Sequence, residues 1–289
     1  MVEALQFLLS GLVVGSIYGL VGVGFTGIYN VTGIVNFAQG DFAVVGAMTT
    51  IALHFAGVPL LPAALVAIVI TCALAALLER TAIRPVRQDV IRGIIVTIGI
   101  GVVIQGAAVI LWGTDAQPLP SFSGDRPIEL FGATLLPQSL WVIGTAAALV
   151  LGLHLFFQHT YLGKMFRACA MNPFAARLVG VRVATMSAIS FMLSGLLGAV
   201  AGIIIAPIAL TQYDSGLQLG IKGFVACIIG GFGNPIGAAL GGLLLGILEA
   251  FAAGYVSSGY KNAIAFVLLL LFLFFRPGGL LGEMERASS

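Results

Sequence analysis

Charge is what this chain has least of: 13 Lys and Arg with 11 Asp and Glu in 289 residues, 8% of the total, against about 25% in a typical soluble domain. With 60% of residues hydrophobic, that shortage excludes an ordinary soluble globule. Basic residues are absent before Arg80, so the N-terminal apolar stretch lacks the basic start of a cleavable signal peptide. It is also too long for a signal h-region and is expected to be a retained first helix. Cysteine is scarce as well. Cys72, Cys169 and Cys227 are odd in number and scattered, which excludes a disulfide framework or a metal site of recognised spacing, so they are expected to be inert small apolar residues. No G-x-x-x-x-G-K-[ST] loop, no H-E-x-x-H and no serine elbow occurs, and His54, His154 and His159 lie far apart. The chain is therefore not expected to be an enzyme or to bind ATP in the P-loop manner.

What the chain does have is apolar runs of membrane length. About 20 residues of helix cross a bilayer core of roughly 30 Å, which gives room for about eight membrane segments and no sizeable soluble domain. Helices are expected near 5–29, 37–56, 59–79, 93–113, 139–157, 185–206, a broken or re-entrant stretch over 221–254, and 260–275. The runs are uninterrupted rather than alternating, so the expected fold is an all-α polytopic membrane protein, with residues 1–289 forming one membrane domain. Short positive loops stay in the cytoplasm. Arg80, Arg84, Arg87 and Arg92 mark one inside loop and Lys164, Arg167, Arg177 and Arg182 another, within 158–184. The Pro-rich segment 114–138 reads as the longest outside loop. This arrangement puts the N-terminus outside and the tail inside. Lipid is the surrounding partner, and positive-inside topology accounts for the basic loops without any nucleic acid.

Small residues recur at four-residue spacing: Gly11, Gly15 and Gly19; Ser194, Gly198 and Gly202; Gly237 with Gly241; Gly242 with Gly246. Such faces let helices in lipid approach closely, so most of the 39 glycines are expected to serve packing. Two other places interrupt the apolar runs. From Gly230 to Pro235 the string GGFGNP supplies positive-φ residues and removes a backbone donor. Irregular backbone at membrane depth is tolerated only inside protein or along a water-filled cavity, so Gly233, Asn234 and Pro235 are candidate pathway residues, with a packing kink as the plain alternative. From Asn30 to Ala47, Asn36, Gln39 and Asp41 separate two apolar runs, and paired interruptions point to a transport site. Asp41 reads equally as a pathway lining or as a helix-start charge at the interface. Gln105 is a further candidate, more readily explained as an interhelical hydrogen bond. Glu249 reads as snorkelling or ion-paired.

The most informative segment is KMFRACAMNPFAARLVGVRV, Lys164 to Val183, with four basic residues and no acid between two membrane-length runs. Asn172 and Pro173 form an N-cap and first-turn pair, and Gly180 is a natural stop. A short surface helix follows, and its alanines with Phe166, Phe174 and Leu178 suit burial against a partner.

With these residues in view, the chain resembles the LivH-type permease subunits of branched-chain amino acid ABC transporters. The resemblance runs through GLVVGSIYGLVGVGFTGIYNVTGIVNFAQGDFAVVGA (Gly11 to Ala47), RACAMNPFAARLVGVRV (Arg167 to Val183), GGFGNPIGAALGGLLLGILE (Gly230 to Glu249) and FRPGGLLG (Phe275 to Gly282). It implies the ABC importer permease fold and an ATP-driven importer of aliphatic amino acids in a bacterial cytoplasmic (inner) membrane. It also implies three kinds of partner: a second homologous permease, two cytoplasmic ATPases carrying ATP and Mg, and a periplasmic or extracellular binding protein. By resemblance, Arg167, Ala168, Ala170, Asn172, Pro173, Ala175, Ala176 and Gly180 form the coupling contact with the ATPase. Many relatives carry an acid where Asn172 or Phe174 stands here, so the charge pairing differs. Urea and short-chain amide permeases look much alike, and a secondary transporter or a channel remain the readings from other classes.

Overall fold

The computed structural model describes residues 2–281 apart from Gln88 and Phe131. Seven of its helical segments are long and apolar enough to cross a membrane, and the protein is a multi-pass membrane protein. The first, α1 (Val2–Thr32), is followed by α2 (Gln39–Phe55) and α3 (Leu60–Leu78). A π-helical turn, Glu79–Ile83, carries α3 into the single turn α4 (Arg84–Val86). Then come α5 (Val90–Trp112), a small hairpin of β1 (Ile128–Leu130) and β2 (Ala133–Leu135), and α6 (Pro137–His159). Two short helices, α7 (Tyr161–Met171) and α8 (Pro173–Leu178), lead to α9 (Val183–Ile205), α10 (Ser215–Gly230), α11 (Pro235–Tyr255) and α12 (Lys261–Phe275).

The glycine stripes act as the spacing foretold. Along α1, Gly11, Gly15 and Gly19 lie against the backbone of α11; a Cβ on Gly15 would sit 2.8 Å from the Cα of Leu243, and Gly242 and Gly246 meet Gly19 and Gly15 from the other side. On α9, Gly198 faces Phe42 and Gly202 faces Ala43 of α2, while Gly237 and Gly241 of α11 meet Gly230 of α10. Backbones at this separation gain dispersion and lose little side-chain entropy, which is what holds helices together in lipid. The result sets α2 among α3, α9 and α10, with lighter contact to α5 and α1, and buries it from Gln39 to Ile51.

The ends sort by charge. Arg84, Arg87, Arg177 and Arg182 surround one cavity of about 920 Å³, so the two basic loops meet at one face, which positive-inside topology assigns to the cytoplasm. At the opposite face Gln6 hydrogen-bonds the backbone of Thr134 in the hairpin in both directions, at 3.0 and 2.9 Å. The N-terminus therefore shares a face with the 114–138 loop, as the loop charges had required.

The stretch expected over 221–254 resolves into two helices with α10 starting at Ser215, because the polar residues Gln212, Asp214 and Gln218 hide the start of that helix from hydropathy. The break between them lies at the basic face and not at mid-membrane. Asn30, at the end of α1, donates to the Gly233 carbonyl at 2.8 Å, and Asn234 donates to Leu281 of the C-terminal segment at 3.1 Å. Gly231 and Gly233 take φ of 106° and 97°, a region closed to side chains with a Cβ, so the hairpin turn needs both. Asn234 caps α11 by accepting from the amides of Ile236 and Gly237, with Pro235 in the first turn.

Candidate functional site

The early interruption is a true gap in the helix. Gly33 ends α1 with φ of 69°, and residues 34–38 run without helix back into the bundle. Thr97 of α5 substitutes for the missing helical bonds: its Oγ1 accepts from the Phe37 amide at 3.2 Å, and its single proton is shared between the Ile94 carbonyl at 2.8 Å and the Val35 carbonyl at 3.3 Å. Asn36 Oδ1 accepts from the Ala38 amide. The α2 helix then starts deep in the membrane layer.

Its depth can be measured against α5. Asp41 Oδ1 accepts from Gln105 Nε2 at 3.1 Å, and Gln105 stands about 22 Å along α5 from Val90 at about 1.5 Å per residue. Gln39 Nε2 donates to the Ser194 carbonyl at 3.1 Å, while the Ser194 hydroxyl bonds Gln39 Oε1 and the Gly24 carbonyl. Asn36, Gln39 and Asp41 are all buried. Asp41 does sit in the first turn of α2, where a carboxylate is favoured, yet that turn is at mid-depth and not at an interface. Asp41 and Gln105 thus meet between α2 and α5, while Gln39 turns to Ser194 of α9 and Asn36 bonds within its own turn, so the four candidates face different neighbours. Among the described residues Asn36 Nδ2 has no hydrogen-bond partner.

The other three candidates, Gly233, Asn234 and Pro235, are elsewhere. They line a cavity of about 680 Å³ at the basic face together with Asn30, His154, Arg167 and Ala170, under the Lys164–Val183 island.

That island is an elbow of two helices. Thr160 caps α7 by accepting from Gly163, and Asn172 caps α8 by accepting from the amides of Phe174 and Ala175, both at 3.0 Å. Gly180 turns the chain away with φ of 87°. Of the expected contact residues, Arg167, Ala170, Asn172, Pro173, Ala175 and Gly180 are exposed, Ala168 is half-buried and Ala176 is buried. Phe166, expected to face a partner, is buried too, wedged edge-on against Phe156 and Phe157 of α6. With Cys169 and Ala176 it packs on Val31, Val183 and Met186, so it anchors the elbow to α1 and α9. The free apolar surface consists of Met171, Phe174, Leu178 and Val179, exposed by 88, 69, 76 and 78%. Beside it, Arg87 donates to the Val31 carbonyl at 3.1 Å, and burial pushes the Cys169 thiol above its ordinary value, partly countered by Arg87 and Arg177.

Glu249, read as snorkelling or ion-paired, is ion-paired, but its partner Lys222 had not been singled out. Lys222, on α10 and 8% exposed, donates to Glu249 Oε1 at 2.6 Å and to the Tyr18 hydroxyl at 3.0 Å. Glu249 is fully buried, and Lys261 approaches the same oxygen at 3.5 Å. Among the described residues Glu249 Oε2 has no partner. The signal was present: a lysine in an apolar stretch, with an acid 27 residues later, belongs to a class of intramembrane ionisable groups that normally pair and serve function. The cluster closes the floor of a cavity of about 300 Å³ walled by α1, α2, α9, α10 and α12.

A helical bundle with a helix gap at mid-depth, ionisable groups inside its spans and a capped elbow on its basic face defines a membrane permease. The chain belongs to the family described as branched-chain amino acid transport system, permease component, whose model matches residues 7–273. It is 33% identical to the high-affinity branched-chain amino acid transport system permease protein BraD of Pseudomonas aeruginosa, covering 97% of this chain and 96% of that one. It is 34% identical, with the same coverage, to the corresponding permease LivH of Escherichia coli strain K12. A shorter match, 31% over 47% of this chain and 44% of the relative, is to the ribose import permease RbsC of Escherichia coli. Among solved structures, PsaBC from Streptococcus pneumoniae in complex with Fab superposes with a TM-score of 0.52 over 94% of this chain and 93% of that one, at 12% identity, a likeness of fold.

Proposed function

We propose that this chain is the membrane permease of an ATP-driven importer of branched-chain aliphatic amino acids in a bacterial cytoplasmic membrane. It would work beside a second, homologous permease, with two cytoplasmic ATPases that carry ATP and Mg, and with a binding protein on the outer side. The observation that carries the reading is the apolar ridge of Met171, Phe174, Leu178 and Val179 on a basic, cytoplasm-facing elbow. Exposed apolar surface of that kind marks a protein or membrane contact; its place on a basic elbow beyond the spans favours a protein, and this chain has no nucleotide loop of its own. The names of the full-length relatives support the substrate class.

The elbow is built to transmit force. Its buried side, Phe166, Cys169 and Ala176, packs on Val31 at the end of α1 and on Val183 and Met186 at the start of α9. Val31 leads directly into the 33–38 gap and so to Asn36, Gln39 and Asp41. ATPase closure against the exposed side of α7 and α8 would move these elements together and change access to the bundle centre. ATP and the loaded binding protein must each prefer one of the two states for this to work. On this reading Asn36, Gln39, Asp41 and Gln105 line the central pathway, and Gly233, Asn234 and Pro235 its inner mouth.

Uptake of labelled leucine in cells with and without the partner ATPases tests the reading. Loss of uptake with the ATPases is expected. Uptake that persists and follows a proton gradient would overturn it in favour of a secondary transporter.

A further inference from the structure

We infer that the cavity above Lys222 is a recognition site for the zwitterionic head of an α-amino acid, with Lys222 and Lys261 taking its carboxylate. The inference rests on the reading of the chain as an amino acid importer and assigns residues to that role. The cavity measures about 300 Å³, the lower end of the range for small-molecule sites, about 300 to 1,000 Å³. Its position suits delivery from outside. The α10 helix has 16 residues, about 24 Å at 1.5 Å per residue, so its first turn at Asp214 and Ser215 stops short of spanning a core of about 30 Å. Lys222 lies two turns deeper.

The charge count selects the ligand. Lys222 and Lys261 outnumber Glu249 at the inner end, and Asp214 on the same lining brings the cavity as a whole to two charges of each sign, the balance a zwitterion requires. An ammonium has three donors, and Lys222 uses two, on Glu249 and Tyr18. The third donor and the half-exposed Lys261 are left for an anion. At the rim, the exposed Asp214 lines the same cavity and suits the ligand ammonium. Between floor and rim, Ala43, Val44, Ala47 and Ile205 form an apolar wall for an aliphatic side chain. A neutral urea or amide offers no carboxylate to the two lysines and no ammonium to Asp214, so the site favours amino acids over the substrates of the similar amide permeases.

The test is direct binding of radiolabelled L-leucine to the full-length permease, purified in nanodiscs with the subunits that co-purify with it and without binding protein. Wild type is expected to bind saturably. Excess 4-methylpentanoate, which lacks the amine, should displace the label far better than leucinamide, which lacks the carboxylate. Lys261→Met should weaken binding at least tenfold, and Asp214→Asn should weaken leucine binding but not that of 4-methylpentanoate. The charge-balanced Lys222→Met/Glu249→Gln pair covers the case in which Lys222→Met alone fails to fold, and it too should lose at least tenfold in affinity. Absence of leucine binding to wild type, leucinamide competing as well as 4-methylpentanoate, or wild-type affinity in Lys261→Met and the double variant would each overturn the inference. If the inference alone is wrong, the assembled transporter still shows ATP-driven leucine uptake. If the importer reading is wrong, that uptake is missing as well.

Discussion

Removing one member of the Lys222–Glu249 pair should cost far more than removing both. Glu249 is fully buried on α11, and its Oε1 accepts from Lys222 at 2.6 Å. In Lys222→Met the carboxylate keeps only Lys261, 3.5 Å away and itself half-exposed. Breaking a buried pair from one side leaves an uncompensated charge and costs about 3–5 kcal/mol, whereas replacing both partners is often nearly neutral. The double variant Lys222→Met/Glu249→Gln leaves no buried charge in the pair, so a cost of about 1 kcal/mol or less is expected. A change of 1 kcal/mol shifts a melting midpoint by about 2–4 °C in domains of 150–250 residues. On that scale the single variant falls by roughly 10 °C and the double by no more than a few. Thermal unfolding of the detergent-solubilised protein, followed by size-exclusion chromatography after heating, measures both. Equal losses in the single and double variants, or a single-variant loss below about 2 °C, would refute the claim that the pair is charged and closed in the bundle.

Three other outcomes follow from the geometry. Thr97→Val should destabilise the protein by roughly 1–3 kcal/mol for each backbone group it strands, here the Phe37 amide and Val35 carbonyl, with Thr97→Ser near wild type in the same thermal assay. Gly15→Leu should abolish folded yield, because its Cβ alone would meet Leu243 Cα at 2.8 Å and α1 cannot then seat on α11; a monodisperse, wild-type-stable variant would contradict that packing. Cys169 should label slowly with maleimide at neutral pH. Its thiol is buried and its pKa raised, so the reactive thiolate accumulates only as pH rises above the ordinary thiol value of about 8.5; peptide mapping that shows its rate levelling off below pH 8 would refute this.

Much of this architecture was legible in the residues because membrane insertion imposes simple rules. Run length located the spans, loop arginines gave their sense, and four-residue glycine spacing marked helix faces that pack closely. The Asn172–Pro173 cap was readable because capping is local chemistry. What escaped depends on tertiary placement. Phe166 and Ala176 belong to the same polar island as Phe174 and Ala175, and only the packing of α7 and α8 on α1, α6 and α9 decides that the first two are buried. The Gly230–Pro235 break reads as an interrupted span, but its depth follows from where α10 begins, and polar residues mask that start. For Asp41 the residues left an interfacial helix start and a pathway lining equally open, because nothing local reveals that residues 34–38 run unwound into the bundle, held by a threonine 60 residues away. Lys222 and Glu249 are far apart in sequence and meet only through the α10–α11 hairpin.

The central proposal, that an ATPase drives this permease through the α7–α8 elbow, is tested most directly by leucine uptake in proteoliposomes of the reconstituted transporter carrying Ala175→Glu. Ala175 is exposed, so the substitution leaves the packed side of the elbow untouched. ATP-driven uptake at least tenfold below wild type, with the melting midpoint unchanged within about 1 °C, is the predicted result. Undiminished ATP-driven uptake in that variant would contradict the proposal.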